Sequence, residues 1–127
     1  VSDMGLARVT GVDASYVKEG DAMLPLRWMP PESIINNLYT EKSDVWSYGI
    51  TLWEIFTDGA MPYREIKTHE LMTILEGGFR LQKPASCPQA VYEIMLMCWE
   101  WDASSRPTFA ELVTKVEGLM QHEDLLL

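Results

Sequence analysis

Two cysteines, Cys87 and Cys98, are all that the 127 residues contain. That is too few for a disulfide framework, and neither has a CxxC partner or a histidine cluster nearby. Reduced thiols in an intracellular protein are expected, with no metal held through them. Basic residues are scarce too: 10 lysines and arginines stand against 19 aspartates and glutamates, a formal net charge of −9. Such a balance repels phosphate backbones and anionic lipid, which sets nucleic acid and membrane surfaces aside and favours a basic partner or substrate. Long apolar runs are missing as well. A membrane span needs roughly 18 consecutive apolar residues, yet Glu54 interrupts the longest candidate and Glu93 and Glu100 bracket the next. The start has no basic segment followed by an apolar run, so no signal peptide is expected, and Val1 in place of an initiating methionine suggests a piece of something longer.

What is present is the composition of one globular domain, 47% hydrophobic and 10% aromatic, which excludes disorder as the main reading. Residues 1–31 carry Gly5, Gly11, Gly20, Pro25, Pro30 and Pro31 without a sustained helical period, the signature of a long and therefore functional loop. Thr40 to Asp44 offer side-chain oxygens for free amides at a helix start, and the apolar series Val45, Trp46, Tyr48, Ile50, Leu52, Trp53, Ile55, Phe56 follows, with Gly59 as a stop. Its apolar residues lie on nearly every face, so this helix is expected to be buried on most sides.

A second helix is expected over Thr68 to Glu76, ended by Gly77-Gly78. A third runs from Pro88 to Trp99, with Val91, Ile94, Met95 and Cys98 on one face. A fourth opens on the capping box Thr108-Phe109-Ala110-Glu111 and reaches about His122, with Phe109, Leu112, Val113, Val116 and Met120 as its buried stripe. Residues 123–127 read as a frayed tail.

On its own, Asp3 beside Gly5 reads as a turn or as one ligand of a hard cation. Order changes its meaning. Asp3-Met4-Gly5-Leu6-Ala7-Arg8 is followed by Leu24-Pro25-Leu26-Arg27-Trp28-Met29-Pro30-Pro31-Glu32 and then Ser43-Asp44-Val45-Trp46-Ser47-Tyr48-Gly49. Trp53-Glu54-Ile55-Phe56-Thr57, Pro62-Tyr63, Cys98-Trp99 and Arg106-Pro107-Thr108-Phe109 come later. This series resembles the second half of a receptor-type protein tyrosine kinase domain, from the D-F-G motif through the A-P-E motif to the closing helices. Ser15-Tyr16-Val17-Lys18 and Arg106-Pro107-Thr108-Phe109 are similar to the fibroblast-growth-factor and Ret-like receptors, though no subfamily matches throughout.

The resemblance implies a mainly α fold, the C-terminal lobe of a protein kinase. Residues 1–122 would be a partial kinase domain, with the activation segment over 1–32, a helical subdomain over 33–122 and a tail over 123–127. It implies a parent enzyme that transfers the γ-phosphoryl of ATP to protein tyrosine hydroxyls, with Asp3 as the ligand of a Mg2+ that bridges the ATP phosphates. Met4 replaces the usual phenylalanine, and an adaptable apolar side chain suits that slot. Tyr16 matches the activation-loop tyrosine whose phosphorylation orders the loop, and Ser15 stands where many receptors carry a second one. Pro25, Leu26, Arg27 and Trp28 match the substrate platform, where a proline walls the tyrosine ring. Glu32 and Arg106 match a structural ion pair from the activation segment to the end of the domain. Asp44 is a carboxylate favoured by the helix dipole, and the resemblance adds that it braces the catalytic loop.

The glycine-rich loop, the ATP-positioning lysine, the helix-C glutamate and the catalytic loop with its base would precede Val1, so no catalytic residue is expected within the chain. A fragment lacking them is expected to be inactive alone and to expose a large apolar patch. The implied partners are tyrosine substrates, a second copy of the parent receptor, and SH2- and PTB-type phosphotyrosine readers. The implied location is the cytoplasmic portion of a single-pass plasma-membrane receptor, and a cytosolic kinase fits every residue equally. The rival reading is a pseudokinase scaffold or allosteric module, for which Met4 is the one positive hint. An acidic helical bundle without an active site would leave the ordered motifs as coincidence.

Overall fold

The structure, a computed structural model, describes residues 17–19 and 22–126, with side chains described over 25–120. Two short strands, β1 (Val17–Glu19) and β2 (Ala22–Leu24), pair antiparallel with Val17 opposite Leu24 and Glu19 opposite Ala22. A 3-10 turn, Leu26–Trp28, follows, and then five α-helices, α1 (Pro31–Asn36), α2 (Glu41–Phe56), α3 (Thr68–Glu76), α4 (Gln89–Cys98) and α5 (Phe109–Leu126), with a second 3-10 turn, Ala103–Ser105, between the last two.

Local chemistry accounts for the helix ends. Pro31 takes the first helical position of α1, where an absent amide hydrogen costs nothing. Asn37 closes α1 in the left-handed region at φ 57°. At the start of α2 the Thr40 hydroxyl accepts from the Lys42 amide at 3.1 Å, while the Thr40 amide donates to Ser43 Oγ at 3.0 Å. The same reciprocal arrangement opens α5, with Glu111 N to Thr108 Oγ1 at 3.1 Å and Thr108 N to Glu111 Oε1 at 2.9 Å. Neither the hairpin within the opening loop nor α1 at its end was expected: three-residue strands and a six-residue helix are too short to display a period.

Helix α2 is the post of the structure, and its most extensive helix partner is α4. Val45, Trp46 and Ile50 are buried against Leu71 and Leu75 of α3, Ile94, Met95 and Cys98 of α4, Trp99, and Leu112 of α5. Close approach depends on Gly49, where a Cβ would come within 2.7 Å of Trp99 Nε1 and 2.8 Å of Cys98 Cβ. Cys98 is core packing, and burial pushes its thiol up to about 12.

Two packing expectations need correction. Burial on most sides holds for the first half of α2, whereas Ile55 near its end is 64% exposed. The stripe of α5 is also displaced. Leu112 is buried and Phe109, Val116 and Leu119 pack partly against the core, whereas Val113 and Met120 are 54% and 60% exposed. Steps of three and four residues from Phe109 through Leu112 and Val116 to Leu119 follow one face, and Val113 lies one residue round from it. Helix α5 also continues to Leu126, past the end expected at about His122 and through the stretch read as frayed.

Candidate substrate platform and its anchors

The 3-10 turn begins on Pro25, whose ring restricts φ and whose carbonyl accepts from the Trp28 amide at 2.9 Å. Pro25, Arg27 and Trp28 are buried and Leu26 is half-buried. The Arg27 guanidinium donates to the carbonyls of Tyr63, of Pro62 at 3.4 Å and of Ile66 at 2.7 Å, all in the loop between α2 and α3. Trp28 donates its indole N–H to Glu54 Oε1 at 3.0 Å, and its carbonyl accepts from Ser47 Oγ at 2.7 Å. Both contacts tie the turn to α2. A basic residue inside the apolar run from Leu24 to Pro31 was the sequence signal for an inward-facing guanidinium, but nothing in that run names its partners.

After Pro30-Pro31, Glu32 lies in the first turn of α1 and meets Arg106 across 74 residues of sequence. The pair is bidentate, Nη1 to Oε2 at 2.8 Å and Nη2 to Oε1 at 3.0 Å, a geometry in which the guanidinium fork matches the carboxylate. Arg106 also donates to the carbonyls of Glu100 at 2.8 Å, Lys42 at 3.0 Å and Trp101 at 3.2 Å. Its donors are thereby occupied, as a fully buried cation requires. The guanidinium lies 5.0 Å from the centre of the Trp46 ring, and that of Arg80 lies 5.3 Å from the same ring. Burial lowers the pKa of Arg80, which donates to the carbonyls of Trp99, Leu75 and Phe79. Sequence reasoning missed Arg80 as a core cation, because an isolated Arg after a double glycine reads as a solvated loop residue.

Asp44 occupies the first turn of α2, half-buried, and burial raises its carboxyl above the usual aspartate range. Among the described residues, nothing donates a hydrogen bond to its carboxylate. Asp3, Met4 and Tyr16 lie outside the described residues. Among the described residues no group of three His, Cys, Asp or Glu side chains is placed to hold a metal ion, and no helix is long and apolar enough to cross a membrane. An apolar cleft of about 190 Å³ opens between α2 and α5, lined by Tyr48, Phe109, Leu112, Val113, Val116 and Glu117.

The family profile described as protein tyrosine and serine/threonine kinase matches residues 1–116. Platelet-derived growth factor receptor beta of Takifugu rubripes is 51% identical over 121 residues, 94% of this chain and 12% of that receptor. The same receptor of Rattus norvegicus is 46% identical over 94% of the chain and 11% of its own length. Vascular endothelial growth factor receptor 1 of Gallus gallus is 46% identical over 95% of the chain and 9% of its own length. The chain therefore spans about a tenth of the curated relatives it matches. A profile match running from before the platform to α5, over helices arranged as a kinase C-terminal lobe, establishes that this chain belongs to the protein tyrosine and serine/threonine kinase family.

Proposed function

We propose that the chain is the C-terminal-lobe part of a receptor-type protein tyrosine kinase that transfers the γ-phosphoryl of ATP to tyrosine hydroxyls of proteins in transmembrane signalling. The observation that carries this reading is the buried bidentate pair of Glu32 and Arg106, which joins the end of the segment running from Asp3 to the last turn before α5. An activation segment needs a fixed end if its remainder is to be switched. Glu32 and Arg106 supply that end, and the turn at Pro25 to Trp28, anchored through Arg27 and Trp28, is the platform for the tyrosine ring. Asp44 braces the catalytic loop, which accounts for a half-buried carboxylate that accepts no hydrogen bond among the described residues.

Asp3 would supply one oxygen ligand to Mg2+, an ion that keeps several waters and phosphate oxygens and needs few protein ligands. When bound, the ion neutralises charge on the transferring phosphoryl group. Phosphorylation of Tyr16 adds about two negative charges and orders the segment that leads to the platform. Parent dimerisation and docking of SH2- and PTB-type readers belong to the same reading, as does a cytoplasmic position beneath a single membrane span.

The test uses the complete polypeptide that carries this chain, assayed for Mg2+-dependent phosphate transfer beside Asp3→Asn and Tyr16→Phe. Turnover abolished by Asp3→Asn and lowered in ATP-pretreated Tyr16→Phe is the expected result. No turnover in the phosphorylated wild type would overturn the kinase reading in favour of a scaffold.

A further inference from the structure

Tyr63 combines a buried aromatic side chain with φ 53°, the left-handed region that bulky residues rarely enter. Such a conformation persists only where its surroundings hold it, and it marks segments where position matters. What holds it is Arg27, whose guanidinium gathers the carbonyls of Pro62, Tyr63 and Ile66 onto one cation. The Ile66 amide closes the loop by donating to Tyr63 O at 2.9 Å, which leaves Arg64 and Glu65 exposed at the crest between them. The residue two before Arg27 is Pro25, so one side chain fixes the distance between the platform turn and this crest.

We infer that Arg27 is a positioning residue for peptide substrates, holding the 62–66 loop as a second wall beside the Pro25 turn so that a bound peptide is gripped on both sides of its tyrosine. This rests on the kinase reading above. Arg27 touches neither ATP nor the reacting atoms in this role. Its loss affects the binding of the peptide and leaves the chemistry intact, because the platform stays tied to α2 through Trp28 while the crest moves.

The test compares wild-type complete polypeptide with Arg27→Met, which keeps the apolar stem, and Arg27→Lys, which keeps the charge with a single contact point. Hydrogen exchange is followed at the Ile66 amide, together with steady-state kinetics on a tyrosine peptide. Loss of charge-assisted bonds of this kind corresponds to about tenfold, so Arg27→Met is expected to raise peptide KM and Ile66 exchange by about that factor, with kcat and the KM for ATP near wild type and Arg27→Lys intermediate. Unchanged exchange at Ile66 overturns the clamp. Faster exchange with unchanged peptide KM overturns its role in substrate positioning, as does unfolding of both variants, which would make Arg27 a purely structural residue. A wild type that transfers no phosphate defeats the kinase reading and the substrate role with it, and the exchange data from the same samples still decide the clamp separately.

Discussion

Two guanidinium groups, of Arg80 and Arg106, lie 5.3 and 5.0 Å from the centre of the Trp46 ring, and among the described residues only Arg106 of the two has a carboxylate partner. The arrangement is tolerable because Arg80 spends its donors on three carbonyls and Arg106 spends its own on Glu32 and three more. Removing one member leaves a buried charge uncompensated. Arg106→Met and Glu32→Gln are each expected to lower stability by about 3 to 5 kcal/mol, with the double variant losing less than their sum. Chemical denaturation of the complete polypeptide and its three variants completes the cycle, and additive losses would show the pair to be uncoupled. At this scale the sequence was legible only in part. Motif order brought Glu32 and Arg106 to notice, but no local pattern names the partners of Arg27, whose acceptor carbonyls lie 35 to 39 residues away in sequence, or shows that Arg80 reaches the carbonyl of Trp99.

Among the elements, the two longest helices open with reciprocal caps, Thr40 with Ser43 and Thr108 with Glu111. Thr108→Ala is expected to cost about 1 kcal/mol, because the Glu111 amide loses its acceptor, the Thr108 hydroxyl. The loss is read as a lowered melting temperature with faster amide exchange confined to the first turn of α5, and uniform exchange through the chain would contradict it. Caps and breakers are written in adjacent residues, which is why α3 occupies the span between Thr68 and Glu76 that its apolar spacing and double glycine indicate. Tertiary choices are not written that way. Val113 and Met120 have the right spacing for a stripe and still face outward, since α5 rests on Tyr48 and the core through Phe109 and Leu112, and the neighbouring face has no helix over it among the described residues. The hairpin and α1 escaped because their length gives periodicity nothing to repeat.

For the molecule as a whole, burial raises Cys98 to about 12 from an ordinary 9.0, and it raises Tyr63, Tyr48, Tyr92 and Cys87 as well. All five are neutral when protonated, so above about pH 9 the unfolded chain gives up protons that the native state retains. Stability is therefore full below that pH and falls toward about pH 12, a loss to be read from denaturation midpoints across an alkaline series; midpoints independent of pH over that window would refute it. Apolar exposure is the second global property. Ile55 on α2 and Val113 and Met120 on α5 are exposed on the two helices that flank the cleft, so the 127-residue chain produced alone is expected to aggregate, seen by light scattering at micromolar concentration. A soluble monomer with one cooperative melting transition would contradict that. The central claim is that these helices carry the platform of a tyrosine kinase, and the direct measurement is phosphate transfer by the complete polypeptide to a tyrosine peptide and to the same peptide with serine in its place. Transfer to tyrosine with serine left unmodified is predicted; equal transfer to both, or to neither, would contradict the account.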